Sequence, residues 1–172
     1  GATESILRPH NRGGWQVRDL YRQRRRAGAT ETTVFGPFRR GGGPEKQYGD
    51  SIVGADREGV VTYMSGRVLD MQGKPIAGAE LDVWQAAADG LYDVQDSSLG
   101  EMNMRGNFKT DKDGRYLVVT TRTVAYQIPA DCPQGQMLAA TNRHPWRPAH
   151  LHFVLYAPGY APLTPNVLHS IT

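Results

Sequence analysis

An antiparallel β-sandwich is the fold that the sequence predicts, and three features lead to it. From Val60 onward, short runs rich in Val, Tyr, Thr and Leu follow one another. They alternate between apolar and polar side chains, and Gly, Pro, Asp and Asn clusters interrupt them at close spacing. Residues 63–69 read as a first strand and residues 79–85 as a second. Between them, Asp70-Met71-Gln72-Gly73-Lys74-Pro75 reads as a turn, since glycine supplies positive φ and proline fixes the exit, and the two strands are expected to pair as a hairpin-like unit. Residues 108–110, the turn Asp111-Lys112-Asp113-Gly114 and residues 115–122 repeat that grammar, and residues 149–156 form a further strand. Such a set of short strands closes most economically as two packed antiparallel sheets.

With 172 residues the chain is large enough for one domain with a real core. Aliphatic and aromatic content is ordinary, and no apolar run approaches the roughly 20 residues that a membrane span needs. The first twenty residues lack the pattern of a secretory signal, and the single Cys132 cannot close an intrachain disulfide, which together predict a reducing, cytoplasmic setting. The net charge of +3 comes largely from arginines near the start, among them Arg24, Arg25 and Arg26. A cluster there reads as a solvated helix face or an arm, so no nucleic-acid partner is expected. Residues 1–27 are thus read as a weakly ordered basic arm, with one short helix expected over residues 15–26, and residues 28–172 as the folded core.

His150 and His152 stand two apart in Ala149-His150-Leu151-His152-Phe153. Side chains of a strand repeat with period two, so both imidazoles leave one face and can reach one metal ion. Alone, the pair is a weak signal, since a solvated or hydrogen-bonded pair is commoner than a metal site. Three further stretches supply context: Gly90-Leu91-Tyr92-Asp93, Val124-Ala125-Tyr126-Gln127-Ile128-Pro129, and Arg143-His144-Pro145-Trp146-Arg147-Pro148 leading into the histidines.

In order and approximate spacing these stretches, with Gly66-Arg67-Val68 and Trp84-Gln85 ahead of them, resemble the catalytic core of the intradiol ring-cleavage dioxygenases over roughly residues 28–164. The resemblance implies Fe(III) held by two tyrosinates, two histidines and solvent hydroxide, at the positions of Tyr92, Tyr126, His150 and His152. Phenolate is a hard anionic donor, and two of them offset the charge of a ferric ion. By the same resemblance Tyr92 and His150 are equatorial and His152 axial. Tyr126 is the axial tyrosinate that a catecholate displaces and that then acts as internal base, and Arg147 stabilises developing negative charge.

Thr30-Glu31-Thr32-Thr33-Val34-Phe35-Gly36-Pro37-Phe38 and Tyr126-Gln127-Ile128-Pro129-Ala130-Asp131 look most like the hydroxyquinol 1,2-dioxygenase type. That implies O2 and a small aromatic diol as substrates, 3-hydroxy-cis,cis-muconate (the tautomer of maleylacetate) as product, and Val34, Phe35, Gly36, Pro37 and Phe38 as the ring pocket. It also implies a homodimer built on an N-terminal helical segment, but no such segment is recognisable before Gly28. Thr164-Pro165-Asn166-Val167-Leu168 departs from the strand expected there, because a proline removes a ladder donor, and the core reads as C-terminally incomplete.

Alternative readings remain. The substrate could be plain catechol. The turn-flanked strands also resemble non-catalytic transthyretin-like binding modules, and an inactive fragment is a related possibility. His150 and His152 with a carboxylate such as Asp93 would instead suit zinc or ferrous iron.

Overall fold

The computed structural model describes residues 28–54, 59–96, 98 and 100–168 of the chain. The N-terminal arm and its expected helix lie outside the described residues. Among these described residues eight strands and one helix follow in order: β1 (Val61–Arg67), β2 (Glu80–Trp84), β3 (Arg105–Lys109), β4 (Arg115–Thr121), β5 (Tyr126–Gln127), α1 (Pro133–Ala140), β6 (Trp146–Arg147), β7 (His150–Tyr156) and β8 (Asn166–Leu168). Among the described residues no helix is long and apolar enough to cross a membrane.

The chain folds as the expected β-sandwich. A two-stranded sheet, β1-β4, faces a four-stranded sheet ordered β3-β2-β7-β8. Every named strand pair is antiparallel. Alternation decides what lies between the sheets: Leu81 and Val83 of β2, Phe108 of β3, and Leu151 and Phe153 of β7 point inward and meet Val118 of β4 and Ile52. The side chains one residue out of phase, including Trp84, His150, His152 and Val154, emerge on the opposite face of the four-stranded sheet.

The expected hairpins do not form. β1 pairs with β4 and β2 with β3, so both turn-linked strand pairs pass from one sheet to the other. The reason lies in the two turns, which bond to each other across the sandwich. Val68 N donates to Gly114 O (2.8 Å), Gly78 N to Thr110 O (3.1 Å) and Thr110 N to Ala79 O (2.9 Å), while Thr110 Oγ1 donates to Ile76 O (2.7 Å). Gly114, at φ +72°, has Val68 O only 2.6 Å from where a Cβ would sit, so no side chain fits this crossing.

A strap over residues 44–52 finishes both sheets. It pairs with β3 through Lys46 N to Asn107 O (2.8 Å) and with β4 through Ile52 N to Val119 O (3.0 Å). Covering strand edges in this way satisfies backbone groups that would otherwise invite intermolecular pairing.

Two further departures from expectation occur near the C-terminal end of the described residues. Residues 166–168 do form a strand, paired to β7 with His152 opposite Asn166. Pro165 is tolerated because it contributes its carbonyl, which accepts from Phe153 N (3.1 Å), and no donor is required of it. The helix α1 lacks an apolar stripe, which is why periodicity does not announce it. It starts with Pro133 in its first turn and is capped by Cys132, whose sulfur accepts from Gly135 N.

Candidate metal centre

Four side chains converge on the outer face of the four-stranded sheet. His150 and His152 project from β7 with ring centroids 4.5 Å apart, and their Nε2 atoms lie 2.9 Å from each other. The Tyr126 ring lies 5.6 Å from that of His150, and Tyr92 lies 5.6 Å from Tyr126 and 6.4 Å from His152. All four residues for which iron ligation is expected are therefore brought together.

Different elements hold them. His152 is stacked flat on Trp84, its partner across the β2-β7 ladder, at 4.7 Å and 4°. His150 Nδ1 sits 2.7 Å from the Pro148 carbonyl, which can only accept, so this nitrogen carries the proton and leaves Nε2 with a free lone pair. Tyr92 follows β2 in a loop and is 1% exposed, stacked 4.3 Å from Phe38. Tyr126 is half-buried on the short β5, which pairs with β6 and places Tyr126 opposite Arg147.

A buried ion pair ties the Tyr92 loop down. Arg105 Nε donates to both carboxylate oxygens of Asp93 (3.0 and 2.9 Å), its Nη2 bonds the same carboxylate, and Nη2 also donates to Phe38 O (2.8 Å). Arg40 reaches Asp93 from the other side at 3.3 Å. Burial would raise the Asp93 pKa, but Arg105 and then Arg40 outweigh it and hold the carboxyl below its ordinary value. One guanidinium thus fixes the residue next to Tyr92 and the backbone of the residue stacked on Tyr92. Gly90, at φ +88°, lets this loop lie against Tyr126: a Cβ there would be 3.1 Å from the Tyr126 Cβ.

The electrostatics suit a cation. Among the described residues Tyr92 Oη is buried without a hydrogen bond of good geometry, and burial, followed by the neighbouring Tyr126 hydroxyl, drives its pKa far up, while Arg147 and Arg105 pull it partway back. Burial lowers the His150 pKa, with the Pro148 carbonyl opposing and Arg147 adding to the depression. His152 is pushed down to about 3 by burial, then by His150, with Arg147 and Arg105 adding; the Asn166 side chain lies close enough to oppose, although no well-formed hydrogen bond joins it to His152 Nδ1. Two neutral imidazoles with Nε2 atoms converging, beside two neighbouring phenols, match the needs of a cation that takes nitrogen and phenolate oxygen. The residues present fit a ferric ion.

The carboxylate alternative does not fit. Asp93 is occupied by Arg105 and Arg40, and among the described residues no three His, Cys, Asp or Glu side chains gather as a metal-holding group.

The other expected residues are placed unevenly. Phe38 packs on Tyr92, and Gly36 lies where a Cβ would be 3.8 Å from His152 Cε1. Val34 is half-buried and Pro37 exposed, while Phe35 is 37% exposed beneath the Arg39 guanidinium, 4.6 Å from its ring centroid. Arg147 is exposed, yet its charge is felt by Tyr92, His150 and His152. A cavity of about 410 Å³ lined by Ile128, Leu138, Pro145, Trp146 and Arg147 adjoins the Tyr126 side. A second, of about 420 Å³, lies toward Arg39, Asp82 and Tyr156, at the far end of the same sheet face and away from the four donors. Sequence reasoning did not find Trp84 as a stacking partner, nor Arg105, Arg40 and Asn166. The one available signal was the strand phase that puts Trp84 and Arg105 on the face of His152, but it requires the strand order.

Known proteins of similar sequence and structure identify the family. The chain matches the dioxygenase family over residues 37–169. It is 48% identical over 146 residues to the 6-chlorohydroxyquinol 1,2-dioxygenase of Cupriavidus pinatubonensis, covering 84% of this chain and 52% of that protein. Against the hydroxyquinol 1,2-dioxygenase of a Rhizobium species it is 43% identical over 150 residues, covering 87% and 50%. The crystal structure of hydroxyquinol 1,2-dioxygenase from Pseudomonas putida superposes with a TM-score of 0.82 at 47% identity, over 89% of this chain and 53% of that one. The chain spans about half the length of the curated relatives it matches. From its sandwich, its match over most of its length and these relatives, the chain belongs to the intradiol ring-cleavage dioxygenase family.

Proposed function

We propose that the chain carries the Fe(III) centre of an enzyme that cleaves hydroxyquinol with O2 between its adjacent hydroxylated carbons, giving 3-hydroxy-cis,cis-muconate and so maleylacetate. The observation that carries this reading is the meeting of Tyr92, Tyr126, His150 and His152 from three separate parts of the chain. A relative named for hydroxyquinol, at 43% identity, and one named for 6-chlorohydroxyquinol, at 48%, support that substrate, and plain catechol is the competing one.

A ferric ion bound here would lower the proton affinity of both phenols and make an ortho-diol susceptible to O2. The protein residues divide the remaining work. Tyr92 is braced through Asp93 and Arg105 and covered by Phe38, so it stays in place. Tyr126 is less buried and sits on a two-residue strand, which makes it the phenol free to swing away and take the substrate hydroxyl proton on Oη. Arg147, opposite Tyr126, offers positive charge to the oxygen that loses that proton. Phe38 and the segment around Gly36 close the ring side of the site.

The test is to load the protein with iron(III), record the visible spectrum and follow O2 uptake. A tyrosinate charge-transfer band is expected, with faster uptake on hydroxyquinol than on catechol. Arg147→Ala should keep the band and lose turnover by about 10²- to 10³-fold. A folded, iron-loaded sample without visible absorbance would refute the proposal; faster turnover of catechol would replace the substrate only.

A further inference from the structure

The two histidines are not equally provided for. As the rings stand, Nε2 of His150 and Nε2 of His152 are 2.9 Å apart, a distance at which one of them carries the shared proton. His150 keeps its proton on Nδ1, facing the Pro148 carbonyl at 2.7 Å, so the proton between the rings belongs to His152 Nε2. A metal that takes both Nε2 lone pairs needs that atom bare. Neutral His152 must then carry its only N–H on Nδ1, where a buried donor requires an acceptor.

One acceptor is positioned for it. Asn166 of β8 lies directly across the ladder from His152, so their side chains share the site face. Asn166 Oδ1 and His152 Nδ1 are both buried, and among the described residues neither has a well-formed hydrogen bond. Two unpaired polar atoms on facing residues are a rare coincidence in a folded interior, and a proton on Nδ1 resolves both at once.

Resting on the metal-centre reading, we infer that Asn166 is the positioning residue of His152: its amide oxygen accepts the Nδ1 proton and holds Nε2 toward the ion, as the Pro148 carbonyl does for His150. β8 thereby acts on the centre although it supplies no ligand. Because Trp84 stacks on the His152 ring face and leaves its edge free, Asn166 sets the proton position without competing for ring placement.

The test compares iron(III) retention against a hydroxamate chelator, and the energy of the visible band, in wild type, Asn166→Asp and Asn166→Leu. Leucine keeps the volume without the acceptor and should weaken retention by about 10- to 100-fold with a shifted band, while aspartate should retain iron. Equal retention by wild type and the leucine variant would overturn the inference, as would equal weakening by both variants, which would show a packing role alone. Should Asn166→Leu fail to fold, the gallium(III)-loaded wild type decides by nitrogen-15 NMR. A slowly exchanging proton on His152 Nδ1 supports the assignment, and a proton on Nε2 overturns it. Failure of wild type itself to bind either ion would sink the metal-centre reading as well, whereas normal binding by wild type and the leucine variant removes only the role of Asn166.

Discussion

His150 and His152 sit on a strand bonded to β2 on one side and β8 on the other, whereas Tyr92 comes from a loop and Tyr126 from a two-residue strand at the margin of the fold. The nitrogen donors inherit their geometry from the regular alternation of an inner strand. The oxygen donors do not, and the protein adds devices for them: the Arg105–Asp93 pair, the Phe38 stack and the close approach at Gly90. A rigid half and a braced half therefore meet at one place, and the braced half contains Tyr126, the phenol proposed to move. Positional accuracy in the loops comes from side chains, and in the strand from the backbone.

That contrast can be broken experimentally, and the largest effect is expected from the donors themselves. His150→Ala and Tyr92→Phe should each lower iron(III) retention by at least about a hundredfold and abolish or shift the visible band, read by chelator competition; loss of a ligand exceeds the 10- to 100-fold typical of outer residues. Asp93→Ala should come next. It strands the Arg105 guanidinium, 2% exposed, without its counter-charge, and should destabilise the protein by about 3–5 kcal/mol in urea unfolding. An apolar pair, Asp93→Leu with Arg105→Met, should recover much of that stability but not the band energy, if the pair serves to place Tyr92.

The pH dependence separates the two halves further. Both histidines have folded pKa values below 6.5, so between the folded and unfolded pKa the unfolded chain binds more protons and stability rises with pH. For chelator-treated protein, His152 alone should contribute a slope of up to about 1.4 kcal/mol per pH unit between pH 6.5 and about 3, flat above 6.5; His152→Gln should remove it. Asp93 works in the opposite pH region: its lowered pKa gives stability that is fully present above about 3.9 and is lost as pH falls below it. The smallest effect should come from Gly90→Ala, which combines a positive φ with a Cβ pressed on Tyr126, and should reduce stability by about 1–2 kcal/mol with a measurable change in the visible band.

The same contrast governs what could be read from the residues alone. That His150 and His152 share a face follows from strand period two, and the sandwich follows from short alternating runs with turn signals. Local reasoning failed where partners are distant. The turns at Gly73 and Gly114 look like hairpin turns, yet they bond to each other and carry the chain between sheets, so neighbouring strands in sequence are not neighbours in space. Pro165 looked like a strand breaker because its missing donor was visible and the use of its carbonyl was not. Arg105 and Asn166 are anonymous in the sequence; only the order β3-β2-β7-β8 lines them up with Trp84 and His152.

The crossing of the chain between sheets has a kinetic corollary. β2 and β3 are joined within one excursion of the chain, but β1 must wait for β4, and β2 must wait for β7, which is still further along. Pairings of long sequence separation pay their loop-closure entropy before they gain contacts, and they form late. Refolding should then proceed in the order of those separations, with the imidazoles arriving after the Tyr92 loop has formed, and colour on adding iron should develop as the final phase, after the bulk of the β-structure has returned.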